Sequence, residues 1–536
     1  MVMVMGVIIV MSLLLAATFA YALAVEPQAR RDQDWNGALA AAQAGVDDYV
    51  AKLNANDNYW NSVDCTNVAL RGPAAGQNSC GWTASTAVGW QNVSANNASA
   101  GKFHYDMDTS VIYSQGAVRL SSTGKVGSTT RTIQVLVTRG GSTDFLYYTD
   151  FEDADPSNTV VYPSGAPNDD CGKSGPTLAK YWWNGRTSTD GCTEIQFVTG
   201  DTLDGDVHFN DTPLINGTTQ FLQGFETSAP SCKTTPYSVS NCKRGSGTPN
   251  LNGSKATYAD PLSLPDNAGA FATYINQGLG CQYTGDTRIK FNSDGTMTVW
   301  STKSAGTSTG SGCGTFTGST PVTVNVPDGQ FVYVKNWTSQ SKCTTGQVGD
   351  GLPVANDINV DVPTFYCGNG NVYVEGTVKG RVTVVAQNNI VITGNLLLDG
   401  VAAGATPAGT SVAGLVAGNS VVVGHPVKCT STSSTCSSWA NINTGTNRYI
   451  YASIQTLQRS FWVQSYDKGA QLGTLNVYGS IAQKWRGIVG TGTSTGYLKN
   501  YRYDSRLRFQ APPYFPQWTN AVWSGRTTGE IKPAYT

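Results

Sequence analysis

The chain has 536 residues, of which only 13% are charged, and a formal net charge of −1. That balance gives no electrostatic case for nucleic acid or an anionic membrane surface as a partner. With 60 glycines and twelve cysteines, and charge at about half the ~25% of an ordinary domain, the composition suits an extracellular β-rich protein better than a cytosolic enzyme.

Residues 1–25 hold no charged residue and no proline. As a helix at ~1.5 Å per residue they extend about 36 Å, enough for a hydrocarbon core of ~30 Å. The run lacks the basic flank of a secretory signal and is longer than the apolar core of one. Nothing later is comparably apolar, so the sequence allows one membrane span. Pro27 is expected to bend the helix or to open a new first turn. Residues 26–58 continue it as an amphipathic helix. Trp35, Leu39, Ala42, Val46, Tyr49 and Leu53 recur at steps of three and four, an apolar face that packs on a head.

The opening Met1-Val-Met-Val-Met-Gly-Val-Ile-Ile-Val-Met-Ser-Leu-Leu14, charge-free and running past a proline into an amphipathic helix, resembles type IV pilin-like subunits. It is most similar to the PilX-type minor pilins and the tip pseudopilin of type II secretion. The resemblance implies that a prepilin peptidase removes a short basic leader and that Met1 becomes the N-methylated mature residue. It implies that Val7, Ile8, Met11, Leu14, Ala22 and Pro27 belong to an assembly helix. That helix would be stored in the cytoplasmic membrane and then packed in a filament with copies of this chain or other pilin-like subunits. Major pilins usually carry Glu at the fifth mature position. Met5 stands there in this chain and the first acid is Glu26, which favours a minor or tip subunit over the shaft protein.

All twelve cysteines follow the helix, with no C-x-x-C, and His104, His208 and His425 are far apart. Disulfides in an oxidising compartment are the natural reading, rather than zinc or redox chemistry. Pairing by sequence neighbours gives Cys65–Cys80, Cys171–Cys192, Cys232–Cys242, Cys281–Cys313, Cys343–Cys367 and Cys429–Cys436. Residues 59–320 are read as a disulfide-rich β domain. Its meander or sandwich edge alternates at Phe103, Tyr105 and Met107, at Val111 and Tyr113, and at Ile133, Val135 and Val137, with turns at 121–124 and 139–142. An aromatic strand from Phe145 then runs into an acidic turn ending at Pro156.

Gly200 to Pro213 packs Asp201, Asp204, Asp206, His208, Asn210 and Asp211 into eleven residues. The leading reading is a tight β-turn whose side chains bond backbone N–H groups. The alternative is a calcium site on Asp201, Asp204, Asp206 and Asp211, since Ca²⁺ takes hard oxygen ligands. A glycosidase or lyase carboxylate pair is the third. No other cofactor is expected.

From 321 to 510, short Val- and Ile-rich runs recur about every eight to ten residues: Val322/Val324/Val326, Phe331/Tyr333, Val372/Val374, Val382/Val384, Ile390/Ile392 and Leu396/Leu398. Glycines punctuate them, and Asn388-Asn389 marks one turn. This spacing predicts a parallel β-helix-like solenoid, with 402–416 as a loop. Towards the C-terminus Lys484, Arg486, Lys499, Arg502, Arg506 and Arg508 interleave with aromatics. A carbohydrate platform or nucleic-acid strip is conceivable, but a cap over the open solenoid end, with Arg486 and Asp504 as partners, is the leading reading. Residues 511–536 form a C-terminal tail or cap. The expected fold is therefore mainly β with one long N-terminal α-helix, a sandwich or meander region preceding the solenoid.

No nucleophile elbow, zinc-protease, P-loop or dinucleotide motif is present, so no enzymatic activity is expected. The expected function is a structural subunit of a bacterial type IV pilus-like surface filament. Its head would meet a surface polysaccharide or a host or abiotic surface. A membrane-anchored adhesin outside any filament is the alternative, and a polysaccharide-active β-helix enzyme comes third.

Overall fold

The computed structural model describes residues 2–56, 59–73, 79–97, 100–110, 117–235, 237–338, 368–431, 436–442, 447–492, 494–508, 510–519 and 522–535. The fold is mainly β, with one long N-terminal helix. It divides into two units: residues 1–112, 117–139 and 522–536 form the first, and residues 113–116 and 140–521 the second. The second unit is thus an insertion in the first. This differs from the expected succession of 59–320, 321–510 and a terminal cap. The last residues are no cap: the strand Trp523–Ile531 belongs to the first unit.

In the first unit, helix α1 (Val2–Ala55) is continuous through Pro27. No new first turn opens there, because one proline removes one N–H from a long ladder that the Ala-rich turns beyond it propagate. The sheet is antiparallel, in the order β1 (Gln91–Asn92), β2 (Lys102–Asp108), β3 (Ala117–Val126), β4 (Thr129–Arg139), then Trp523–Ile531. Phe103 and Tyr105 are buried on β2, and Ile133, Val135 and Val137 on β4. The turn expected at 121–124 falls inside β3. The reversal comes at Gly127, whose φ of +57° suits a residue without Cβ. Val111 and Tyr113 lie outside the described residues.

The second unit is dominated by parallel pairing. One ladder runs through ten strands: Ala256–Tyr258, Phe225–Thr227, Val207–Phe209, Tyr147–Ala154, Gln471–Arg486, Arg448–Thr456, Val412–Ala417, Arg381–Ala386, Gln330–Lys335 and Cys281–Thr284. A second runs through Thr287–Phe291, Val372–Val378, Ile390–Leu398, Val421–Val423 and Phe461–Val463. The aliphatic rows expected at Val372/Val374, Val382/Val384 and Ile390/Ile392 are all buried in one core. Three details differ from expectation. Parallel pairing also takes in 147–258. Val322–Asn325 pairs antiparallel with Thr296–Trp300 instead of joining a ladder. Val412–Ala417, expected as loop, is a wholly buried strand, because its Ala and Gly residues lie against bulky neighbours such as Phe515.

The ladder is out of sequence order. The chain enters at Tyr147–Ala154, builds outward to Ala256–Tyr258, and then restarts at the far end with Cys281–Thr284. It returns until Gln471–Arg486 pairs beside the strand where it entered. Nine strand spacings of ~4.8 Å separate the two ends, about 43 Å. Residues 259–280 bridge them as an outer strap. Leu264 packs on Tyr148 and Ala482, and Ala268 and Phe271 pack on Phe331, Tyr333, Val385 and Val416. At successive corners between the two ladders a polar row is buried. Asn371 donates from Nδ2 to Asp286 (2.8 Å), Asn388 donates to Asn371 (2.7 Å), and Asn419 donates to Asn388. Each amide satisfies the next, which is what burying polar groups requires.

Candidate functional site: a divided N-terminal helix and two joints

The helix has two chemically distinct halves. In the first, every described large apolar side chain is more than half exposed, from 56% at Val10 to 86% at Met3. Val7, Ile8, Met11 and Leu14 are among them. Pro27 is exposed too. Met1 and the side chain of Ala22 lie outside what is described. This half is long and apolar enough to cross a membrane, and none of it is covered among the described residues.

In the second half one face is buried on the sheet: Ala38, Ala41, Ala42, Gly45, Val46, Tyr49 and Leu53. Four of the six residues expected on that face, Ala42, Val46, Tyr49 and Leu53, are there. Trp35 is 51% exposed and Leu39 is half-buried. The face is rotated towards small residues because the helix lies very close to β3. A Cβ on Gly124 would sit 2.0 Å from the Ala38 carbonyl oxygen and 2.3 Å from the Ala42 nitrogen, and one on Gly45 would sit 2.3 Å from Ser122 Oγ. Large apolar side chains at the top of the face would hold the helix off. Trp35 instead lies under Arg131, 4.5 Å from its guanidinium carbon, and Arg131 forks onto Glu530 (2.7 and 2.6 Å).

Polar bonds fix the docking. Ser122 Oγ donates to the Ala42 carbonyl (2.7 Å), and Tyr105 donates to Asp48 (2.9 Å). Asn54 donates to the Trp523 carbonyl and accepts from the Trp523 N–H (3.1 and 2.6 Å), so the end of the helix holds the C-terminal strand. Sequence periodicity missed Ala38, Ala41, Gly45 and Asn54. The signal was available in the density of small residues from Ala38 to Gly45.

Inside the inserted unit a second joint is built from charge. Where the entering strand meets the returning chain, five ion pairs cross. They are Asp150–Lys484 (2.8 Å), Glu152–Arg486 (2.7 Å), Asp155–Arg459 (3.3 Å), Asp201–Lys499 (2.8 Å) and Asp206–Arg508 (3.2 Å). Every acid comes from 150–206 and every base from 459–508. Arg486 therefore pairs with Glu152, not with the expected Asp504, which holds Arg506 (2.6 Å). Burial pushes the Glu152 and Asp155 carboxyls up, against the pull of their arginines, and pushes Lys499 down. Such pairs contribute little net stability but penalise misregistration, since a lone buried charge is costly.

The structure does not bring the four aspartates of the calcium reading together. Asp201 is tied to Lys499 and the Val198 N–H, and Asp206 reaches Arg508. Asp204 lies half-buried in the strand Thr202–Asp204. Asp211 forms an ion pair with Arg186 (2.8 Å) and accepts from the N–H groups of Trp182 (2.7 Å) and Glu152 (3.1 Å). Among the described residues no three His, Cys, Asp or Glu side chains converge as a metal site. His104, His208 and His425 each sit in separate hydrogen-bonded surroundings. Five of the expected disulfides are formed: Cys65–Cys80, Cys171–Cys192, Cys232–Cys242, Cys281–Cys313 and Cys429–Cys436. Cys343–Cys367 lies outside the described residues.

No protein-family model and no curated protein matches the chain. Among solved structures, the chain is similar to the competence-associated pilin ComZ from Thermus thermophilus, over 93% of this chain and 97% of that one, at 12% sequence identity and a TM-score of 0.27.

Proposed function

We propose that this chain is a structural, non-enzymatic subunit of a type IV pilus-like surface filament. The observation that carries the reading is the divided helix. Its second half is docked on its own sheet, while its first half presents a charge-free, mostly apolar surface that nothing among the described residues covers. Burying one such side chain contributes roughly 1.5–3 kcal/mol, so this half needs either lipid or the like halves of other subunits. Storage in the cytoplasmic membrane followed by packing in a filament, with prepilin peptidase acting in between, supplies both.

A minor or tip position suits the inserted unit of about 380 residues, which needs room that a closely packed shaft lacks. The exposed head is then the part that adheres to surfaces. We read its two parallel ladders, with their row of corner amides, as turns of a parallel β-helix.

The test is immunogold labelling of sheared surface filaments with antibody to the head, combined with N-terminal sequencing of the native protein. Label at filament ends and a methylated N-terminus are expected. Label confined to the cell envelope, on a protein that keeps a basic leader, would establish the alternative of a plain membrane-anchored adhesin.

A further inference from the structure

A groove of about 630 Å³ of open space lies on the inserted unit. Its polar lining includes Asn395, His425, Asn447 and Arg448, and its apolar lining includes Leu472 and Tyr497. Among the described residues no carboxylate lines it.

The hydrogen-bonding roles of these groups are already divided. Asn395 Oδ1 accepts from the Tyr449 N–H (3.0 Å), and Asn447 Oδ1 accepts from the N–H and hydroxyl of Thr474 (3.0 and 3.1 Å). Those bonds fix both amides, so the group each leaves over is its NH₂ donor. Arg448 Nε is buried and has no hydrogen-bond partner among the described residues, and Nη2 reaches the Gly424 carbonyl only at 3.5 Å. His425 has both ring nitrogens engaged, with the Gln464 carbonyl and Asn441 Oδ1, and serves as a wall. The groove therefore offers surplus donors, one of them cationic, beside a buried ring and an aliphatic side chain. Charge-assisted bonds from a guanidinium favour a carboxylate, and an apolar patch among a few placed polar groups suits a ring-shaped ligand.

We propose that this groove binds an acidic sugar residue, its carboxylate at Arg448 and its hydroxyls at the two asparagine amides. The proposal rests on the reading of the head as an adhesive surface and names the class of polymer it would meet.

The test is calorimetric titration of the full chain in detergent micelles with a galacturonic-acid trisaccharide, and with the neutral galactose trisaccharide as control. The acidic trisaccharide should bind and the neutral one should not. Asn395→Asp with Asn447→Asp keeps each Oδ1 bond to the backbone but replaces the donor by a negative charge, so it tests the groove without disturbing the fold. It should weaken binding at least tenfold, as should Arg448→Gln. Failure of the wild type to bind the acidic sugar, equal binding of the neutral one, or binding unchanged in the double Asn→Asp variant would overturn the proposal. Filament assembly is scored on the same variants. A wild type that assembles without binding the acidic sugar refutes the groove alone, one that binds without assembling refutes the filament reading alone, and the variants are expected to assemble while losing the sugar.

Discussion

Replacing Gly124 by alanine adds one methyl group at the closest approach of helix and sheet. The new Cβ would lie 2.0 Å from the Ala38 oxygen and 2.3 Å from the Ala42 nitrogen, against an optimum of ~3.5 Å or more for non-bonded carbon. Both neighbours are backbone atoms of a helix, which cannot rotate aside, so helix and strand must part by more than an ångström. Overpacking of this kind costs about 1–3 kcal/mol. The separation also strains the Ser122–Ala42 hydrogen bond, worth roughly another 1 kcal/mol. A loss of about 2–4 kcal/mol corresponds to roughly 4–16 °C in the melting of a body of some 150 residues. Differential scanning calorimetry of the full chain in detergent should show the transition of the first unit falling by that amount, with the inserted unit unmoved. Gly529→Ala is the control: on the C-terminal strand of the same sheet its Cβ meets nothing within 4 Å, so it should melt like the wild type. A Gly124→Ala protein whose first transition stays within 1 °C of the wild type would refute the close-docking argument.

Three further outcomes are expected. Burial lifts the Asp286 carboxyl to about 8 from an ordinary 3.8; the folded chain then holds a proton that the unfolded chain has lost, so stability falls as pH rises from about 4 to about 8, by at most ~1.4 kcal/mol per pH unit. Asp286→Asn should flatten that slope in urea midpoints taken at pH 5 and 8.5, only in part because Glu152 and Asp155 share its sign; an unchanged slope would contradict it. Arg486→Leu strands the buried Glu152 carboxylate and should cost about 3–5 kcal/mol in chemical denaturation, while adding Glu152→Leu should restore most of the loss. Removing Cys281–Cys313 frees a 32-residue separation, and on the loop-entropy account should cost about 3–4 kcal/mol, read as a lower urea midpoint of the inserted unit.

Much of this architecture was legible in the sequence because it depends on local periodicity. The uncharged run, the helix to Ala55, the strands at Phe103 and Ile133 and the aliphatic rows from Val372 to Leu398 each announce themselves within a few residues. Neighbouring cysteines paired as their short spacing suggested. What escaped was long-range. Nothing near Arg486 says that its partner is Glu152, 334 residues away, and Asp504 was simply nearer in sequence. The basic tail and the acidic stretches at 150–156 and 201–211 were both visible, but their complementarity only has meaning once the returning chain is known to pair beside the entering strand. The helix face was misjudged at its first two members, Trp35 and Leu39, for a different reason. Periodicity counts large apolar residues, whereas close packing on β3 selects small ones, and Gly45 and Ala38 score as nothing in such a count. The inserted nature of the head was hidden because Trp523–Ile531 carries no mark of belonging with Thr129–Arg139.

The order in which the ladder is threaded has a consequence for how such a head can diversify. The entering strand Tyr147–Ala154 and the returning strand Gln471–Arg486 are neighbours well inside the ladder, so neither of them is an end strand. Strands can be added or lost at either end by duplication without moving the entering and returning strands. The one element that must keep pace is the strap at 259–280, which needs about one and a half extended residues for each strand spacing gained. Its length therefore acts as a tally of the ladder's height, and homologous heads of different reach should differ in the two together.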